Sequence, residues 1–204
     1  LAAAVILNPR RRITGLDDSK KLTADRREIL AERIREHALA WHVAQVDAPS
    51  IDAWNIYQAS RRAMSEAVTH LSVQPDFLLI DAMKLDLLIE QTSLIKGDAR
   101  SVSIAAASIL AKVARDQLMC SYDQEYPQYG LASNKGYGTP GHLAALRTHG
   151  PSPLHRYSFA PVRAAGCWAA GATQQPLPLD ASVVPGQAIA PGYPSRTLQD
   201  VLKP

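Results

Sequence analysis

Cysteine is almost absent from this chain, and its scarcity excludes two classes of protein. Only Cys120 and Cys167 occur among the 204 residues. Two cysteines so far apart in sequence make neither a disulfide framework nor a zinc-binding knuckle. We therefore expect a protein of the reducing cytoplasm.

Long apolar runs are also missing. A bilayer-spanning helix needs about 20 apolar residues, whereas the opening run LAAAVIL occupies only residues 1–7. No basic segment precedes this run, so it makes a poor signal peptide and is predicted to be a buried strand. None of the six histidines falls in an HExxH or catalytic-triad pattern. The sequence therefore predicts neither a membrane segment nor a zinc protease.

The composition that remains is that of a soluble globular protein, with 47% apolar and 20% charged residues. A net charge of +3 leans toward polyanionic partners. The pattern changes near residue 163, and six of the 14 prolines follow it. We predict one domain over residues 1–163 and a flexible, proline- and alanine-rich tail over residues 164–204.

Strand and helix patterns alternate along residues 1–163. The predicted strands are 2–7, 41–46, 77–80 and 92–95, and the last two precede candidate functional residues. Residues 77–80 form a continuous apolar run, as expected of a strand buried on both faces. The predicted helices are 24–40 with Thr23 as N-cap, a long helix starting at Ser50 or Asp52, 103–122, and 140–149 between Thr139 and Gly150. This alternation predicts an α/β fold whose sheet is at least partly parallel or mixed.

Two carboxylates follow predicted strands. Asp81 ends PDFLLID, and Asp98 lies in LIKGD ahead of a helix. Each has an ordinary structural interpretation, as a turn residue or a helix N-cap. Because functional side chains gather beyond strand ends in α/β sheets, the two together favour a hard cation such as Mg²⁺ or Mn²⁺.

Three further stretches contain candidate residues with competing explanations. Ser19 and Lys20, in GLDDSKKL, are residue types that contact phosphate, although a solvated loop explains them equally well. Lys135 and Tyr137, in NKGYGTPGH, suit a sugar or phosphate contact or an ordinary glycine-containing turn. The helix SIAAASILAKVARD is rich in small residues for close packing, and its Lys112 and Asp116 are spaced for an i,i+4 ion pair.

Taken together, these stretches resemble bacterial ribonuclease HII over residues 1–163. The motifs occur in the family's order and approximate spacing: GLDDSKKL, IDAWNIYQAS, LLIDAMKLD, LIKGDARSVSIAAASILAKVARD, NKGYGT and HRYSFAPV. The resemblance implies an RNase H-like mixed sheet flanked by helices, with C-terminal helices after it. It also implies a cytoplasmic monomer that cleaves the RNA strand of RNA–DNA hybrids and incises 5′ to ribonucleotides embedded in duplex DNA.

The resemblance assigns roles to individual residues. Asp81 and Asp98 match the third and fourth of four carboxylates that hold Mn²⁺ or Mg²⁺. Tyr137 matches a tyrosine that stacks on the deoxyribose beside the ribonucleotide. Ser19 and Lys20 match residues that face the nucleic-acid backbone, and Lys135 belongs to the same nucleic-acid-binding set. Lys112 and Asp116 are expected to form a structural ion pair.

One family motif has no counterpart. The family carries DEAGRG ahead of the strand that LAAAVIL matches, and this stretch supplies the first two carboxylates and reads the ribonucleotide 2′-hydroxyl. Residues 1–204 begin after that position, so we expect an N-terminally truncated ribonuclease HII with impaired activity. The alternative is an inactive remnant that binds hybrid or duplex weakly through Lys20, Lys21 and residues 134–139.

Overall fold

A computed structural model describes residues 1–166 of the chain. The predicted tail, apart from its first residues, lies outside the described residues. The described part divides into two compact units, one made of residues 1–45 and 61–113 and the other of residues 46–60 and 114–166. Among the described helices, none combines the length and apolar character needed to cross a membrane.

Strands and helices alternate as the sequence predicts. The strands are β1 (Ala2–Ile6), β2 (Ala40–Ala44), β3 (Phe77–Asp81) and β4 (Glu90–Leu94). The helices are α1 (Ala24–His37), α2 (Ala48–Thr69), α3 (Gly97–Arg100), α4 (Val102–Glu125), α5 (Leu131–Asn134), α6 (Pro140–His149) and α7 (Ala160–Ala164), with a 3₁₀ turn at Pro127–Tyr129. The α/β class is confirmed.

Strands of the first unit pair in both orientations. β1 and β2 are antiparallel, whereas β3 and β4 are parallel with Asp81 opposite Leu94. Strand 77–80 was predicted to be buried on both faces, and this was wrong: Leu78 and Ile80 are buried, while Phe77 and Leu79 are only partly so. Alternating burial is typical of a strand with one face against the core.

The core of the first unit explains the alanine-rich composition of α4. Ala105 and Ala106 have no exposed surface and pack in one cluster with Leu30 and Ile34 of α1. These alanines are fully buried in the core, which is the packing role that the sequence predicts for SIAAASIL. Thr23 accepts a hydrogen bond from the Arg26 N–H and so caps α1 as predicted.

The long helix α2 differs from the prediction in its start and its continuity. It begins at Ala48, and the Asp47 carboxylate accepts the N–H of Ser50. Asn55 interrupts it with φ 68° and ψ 162°, and the Asn55 side chain then accepts the N–H of Gln58. Asparagine is one of the few residues that tolerates positive φ while capping a new helical turn.

The second unit has its own small core, formed by Tyr129, Leu131, Leu146 and Val162. Its helix α6 follows the prediction closely. Thr139 accepts the N–H of His142, Pro140 occupies the first turn, and Gly150 ends the helix at φ 70°. These are the cap, proline and glycine positions that favour a helix with sharp ends.

Candidate active site

Asp81 is the last residue of β3, and its carboxylate lies against the segment that follows β4. Its Oδ1 accepts the backbone N–H of Gly97 at 2.9 Å. Because β3 and β4 are parallel, their carboxyl ends lie at one edge, where functional groups gather in α/β proteins. The fold therefore brings the two sequence-predicted carboxylates, Asp81 and Asp98, to neighbouring positions of one rim.

Gly97 makes this approach possible. A Cβ atom at this position would lie 2.5 Å from Cδ1 of Ile104 and 3.3 Å from Oδ1 of Asp81. Contacts of the first length do not occur without displacement of one partner. The glycine of KGD is therefore required by the close fit between β3, the start of α3 and the first turn of α4.

Gly97→Ala is expected to lower the free energy of unfolding by about 1–3 kcal/mol, as overpacking does in well-packed sites. Urea unfolding followed by circular dichroism measures it. Adding Ile104→Val removes the methyl group of the worst contact, so the double variant should recover part of the loss. Gly141→Ala is the control, since a Cβ atom added at Gly141 would meet nothing within 4 Å. Equal effects at Gly97 and Gly141 would contradict this account.

Asp98 is buried, with only 9% of its surface exposed. Its Oδ1 accepts the N–H of Ala99 at 2.9 Å, and its Oδ2 lies 3.8 Å from Nζ of Lys20. The Lys20 side chain is 82% exposed, so this ion pair contributes little to stability. Oδ2 of Asp98 can therefore still bind a cation.

Ser19 and Lys20 differ in accessibility. Lys20 extends into solvent beside Asp98, which suits a phosphate contact. Ser19 is buried at 7% exposure, and its carbonyl accepts a hydrogen bond from Arg27 Nη1 at 3.1 Å. A second bond from Arg27 to the Leu22 carbonyl fixes the same loop. The loop that presents Lys20 is thus held by an arginine that the sequence did not single out.

The two carboxylates match a divalent cation in their chemistry. Asp81 and Asp98 offer the hard oxygen ligands that Mn²⁺ and Mg²⁺ prefer. Within residues 1–166, no three histidine, cysteine, aspartate or glutamate side chains come close enough to hold one ion. Asp81 and Asp98 are the residues of the described part that would hold such a cation.

In the second unit, Tyr137 projects from a tightly bonded loop. Its ring is 60% exposed, with Cζ of Arg115 5.9 Å from the ring centroid. Asn134 fixes the loop by donating to the Tyr129 carbonyl at 2.7 Å and accepting the Gly136 N–H at 2.8 Å. The result is an exposed aromatic face on an ordered backbone, which is what a stacking platform requires.

The side chain of Lys135 contacts α4. Its Nζ lies 3.0 Å from Sγ of Cys120 and 3.4 Å from the carbonyl of Asp116, both on α4. The Lys135 backbone has φ 51°, and its carbonyl accepts a hydrogen bond from Arg115. These contacts favour a structural role, while a nucleic-acid contact stays a prediction. Lys112 and Asp116 lie one turn apart on α4, and their ion pair also stays a prediction.

Asp52 is a structurally important residue that the sequence reasoning missed. It accepts the N–H groups of Tyr157 and Ser158 and the Ser158 hydroxyl. Burial alone would raise the pKa of Asp52, but the bonds from Ser158 and Tyr157 and the nearby Arg156 hold it below its ordinary value. The bond joins the IDAW and HRYSF motifs, so only their joint occurrence could have signalled it.

Two histidines were also missed. His142 Nε2 lies 3.0 Å from His155 Nε2, and His142 Nδ1 lies 3.0 Å from the carbonyl of Tyr137. Burial, together with the neighbouring His142, lowers the pKa of His155 to about 4. Neither histidine belongs to a recognised catalytic spacing, and their pairing depends on the tertiary fold.

Comparison with known families gives a match over most of the chain. The family model described as Ribonuclease HII matches residues 1–162. The match ends where the composition of the sequence changes, close to the predicted domain boundary at residue 163.

Individual relatives are similar over the same region. Proteins named Ribonuclease HII from Solibacter usitatus and Koribacter versatilis are 61% and 60% identical over 163 and 177 residues, or 80% and 87% of this chain. That from Geobacillus thermodenitrificans is 55% identical over 81% of this chain. The chain spans 72%, 68% and 64% of these three relatives, respectively.

Among solved structures, the crystal structure of ribonuclease H2 from Pyrococcus horikoshii OT3 is similar in fold. Its TM-score is 0.65, with 20% sequence identity, over 80% of this chain and 92% of that chain. At this identity the likeness concerns the fold alone. The RNase H-like α/β fold that the sequence resemblance implied is therefore confirmed.

Proposed function

The chain belongs to the ribonuclease HII family, and on that premise we propose that the protein is a cytoplasmic endoribonuclease acting on RNA–DNA hybrids. We propose further that the enzyme incises 5′ to single ribonucleotides embedded in duplex DNA, using Mn²⁺ or Mg²⁺. The observation that carries the proposal is the contact of the Asp81 carboxylate with the N–H of Gly97, directly beside Asp98.

Asp81 and Asp98 hold the cation in this mechanism. When bound, a divalent cation stabilises charge on phosphate oxygens and makes water a better nucleophile. The Gly97 N–H occupies Oδ1 of Asp81 and the Ala99 N–H occupies Oδ1 of Asp98, so each carboxylate is oriented by the backbone. Such orienting bonds reduce the reorganisation that binding a cation would otherwise require.

Lys20 supplies positive charge beside the carboxylates. Its ammonium group is 3.8 Å from Asp98 and otherwise exposed, so a backbone phosphate can take it as a partner without dismantling a buried structure. Lys20 thus contributes to substrate binding, and the loop held by Arg27 keeps it in place.

Tyr137 orients the substrate through its exposed ring. A flat aromatic face can stack on a sugar or base with little sequence preference. Arg115 lies over the ring and donates to the Lys135 carbonyl at 3.2 Å, so the ring is supported before substrate arrives. A ring prepared in this way suits an enzyme that recognises a ribonucleotide junction in any sequence.

A cleavage assay tests the proposed function. The substrate is a labelled DNA duplex containing one ribonucleotide, and the protein is the complete gene product that includes residues 1–204. We expect incision on the 5′ side of the ribonucleotide with Mn²⁺ or Mg²⁺, and none after chelation with EDTA. An all-DNA duplex of the same sequence is the control and should stay intact. Cleavage of that control, or cleavage that EDTA leaves unchanged, would contradict the proposal.

A second candidate is weak nucleic-acid binding without cleavage by residues 1–204 alone. Its support is that the described residues bring together the two carboxylates and Lys20 but no third side chain of metal-binding type. Such binding would depend on phosphate contacts and weaken steeply with salt. Fluorescence anisotropy with the same duplex, run beside the cleavage assay, distinguishes the candidates. Metal-dependent cleavage by residues 1–204 would eliminate the second.

A further inference from the structure

A chain of hydrogen bonds in the second unit leads from Ser152 to the loop that carries Tyr137. The backbone N–H of Ser152 lies 3.0 Å from Nδ1 of His155. The two histidines meet through their Nε2 atoms at 3.0 Å, and Nδ1 of His142 lies 3.0 Å from the Tyr137 carbonyl. His142 is buried, at 5% exposure.

The Ser152 N–H at one end of this hydrogen-bonded series and the Tyr137 carbonyl at the other determine which atom donates in every bond. A backbone N–H can only donate, so Nδ1 of His155 must accept, and its Nε2 carries the proton of the neutral ring. That Nε2–H donates to Nε2 of His142. Nδ1 of His142 then carries the other proton and donates to the Tyr137 carbonyl, which can only accept. The four groups therefore fit one tautomer of each ring and no other.

We propose that His142 and His155 form a neutral relay that positions Tyr137. His142 is a positioning residue, since it bonds to the main chain at Tyr137 and not to the ring. The Tyr137 carbonyl also accepts the N–H of Thr139, so the relay bonds to the same carbonyl that closes the turn at residues 137–139. The consequence for cleavage rests on the proposed function, whereas the relay itself does not.

The surroundings of the relay keep the His155 ring neutral near pH 7. Burial and the adjacent His142 lower the pKa of His155 to about 4. The Tyr129 ring packs edge-on against both histidines, and its hydroxyl donates to the Gly150 carbonyl. The His149 ring packs edge-on against Tyr129. The Ser152 hydroxyl lies 2.9 Å from His155 Nδ1. None of these neighbours is a carboxylate that would stabilise a charged imidazole.

Nitrogen NMR of the imidazoles tests the relay directly, with residues 1–204 labelled at histidine. Near pH 7 we expect His155 protonated at Nε2 and His142 protonated at Nδ1. Lowering the pH toward 4 should add a proton to Nδ1 of His155 and break its bond from the Ser152 N–H. The displaced ring should then reduce the amide protection at Tyr137 and Thr139, measured after correction for the intrinsic pH dependence of exchange. The opposite tautomers, or loop protection that is unchanged through this titration, would overturn the proposal whether or not the protein cleaves anything.

Variants then connect the relay to Tyr137. His142→Leu removes both side-chain bonds and should raise amide exchange at Tyr137 about tenfold, the ratio for one lost bond of about 1.4 kcal/mol. His142→Asn keeps a donor near the Nδ1 position and should recover much of the protection. His149→Leu is the matched control on the same helix, because it touches Tyr129 without joining the relay.

A double-mutant cycle on cleavage activity, measured in the complete gene product, gives an independent test. If His142 acts through Tyr137, His142→Leu should lower kcat/KM in the native background and have little further effect once Tyr137→Ala is present. Additive losses would show that His142 has a separate structural role and would overturn its assignment. Absence of cleavage by the native protein would refute the proposed function instead, while the NMR result still decides the relay.

Discussion

Asp98→Asn is expected to remove Mn²⁺ binding at the rim and to lower cleavage by about 100-fold or more, because a catalytic cation stabilises charge by several kcal/mol. The substitution keeps the shape of the side chain and an oxygen that can accept the Ala99 N–H. It removes only the negative charge. Thermal stability should be unchanged or slightly higher, since the exposed Lys20 at 3.8 Å compensates the buried carboxylate poorly.

The measurement combines cleavage of the ribonucleotide-containing duplex with Mn²⁺ binding followed by electron paramagnetic resonance. Asp76→Asn is the matched control: Asp76 is exposed and immediately precedes β3, whereas Asp81 ends that strand. The control should bind Mn²⁺ and cleave like the native protein. If Asp98→Asn instead lost activity in proportion to a loss of folded protein, Asp98 would be a structural residue of the first turn of α3.

The sequence predicted the rim because its signals are local. The continuous apolar run at residues 77–80 indicates β3, and a carboxylate at the end of such a strand lies at the edge where functional groups gather in α/β proteins. The caps Thr23 and Thr139 were likewise predictable, since each acts on an N–H three residues away. The alanines of α4 indicated close packing, and the core of the first unit confirms it.

The remaining features depend on residues far apart in sequence. Asp52 bonds to Tyr157 and Ser158 across more than 100 residues, and no periodicity encodes that pairing. The break at Asn55 was hidden because the surrounding residues keep helical spacing on both sides of it. Trp54 and Tyr57, which share that helical spacing, are 37% and 52% exposed. Helical periodicity reveals an apolar face but does not say whether the fold covers it.

Residue chemistry alone does not show how the side chains of loop 134–139 are placed. Lysine beside glycine suggested a phosphate contact, which stays a prediction, and in the structure the Lys135 ammonium lies near Cys120 Sγ and the Asp116 carbonyl. The left-handed backbone at Lys135 and Gly136 turns successive side chains in different directions, which a linear motif cannot show. Tyr137 is the side chain that this geometry leaves exposed.

Tyr137→Ala should lower kcat/KM by about 10- to 100-fold, the equivalent of the 1–3 kcal/mol that one stacked ring contributes. The ring is 60% exposed and lies outside the apolar core of its unit, so its removal should leave the melting temperature nearly unchanged. Tyr137→Phe keeps the ring face and should retain most of the activity, because the hydroxyl is not needed for stacking.

The chain offers a matched control for this substitution. Phe159 is also exposed, at 43%, and Cζ of Arg156 lies 5.9 Å from its ring centroid, as Cζ of Arg115 does from Tyr137. Phe159→Ala should therefore remove a similar arginine–aromatic contact without lowering cleavage. Comparable losses at both positions, or a Tyr137→Ala loss that follows a drop in melting temperature, would mean that the ring serves packing. A loss at Tyr137 alone would instead locate the substrate contact on the loop that Asn134, Arg115 and His142 hold in place.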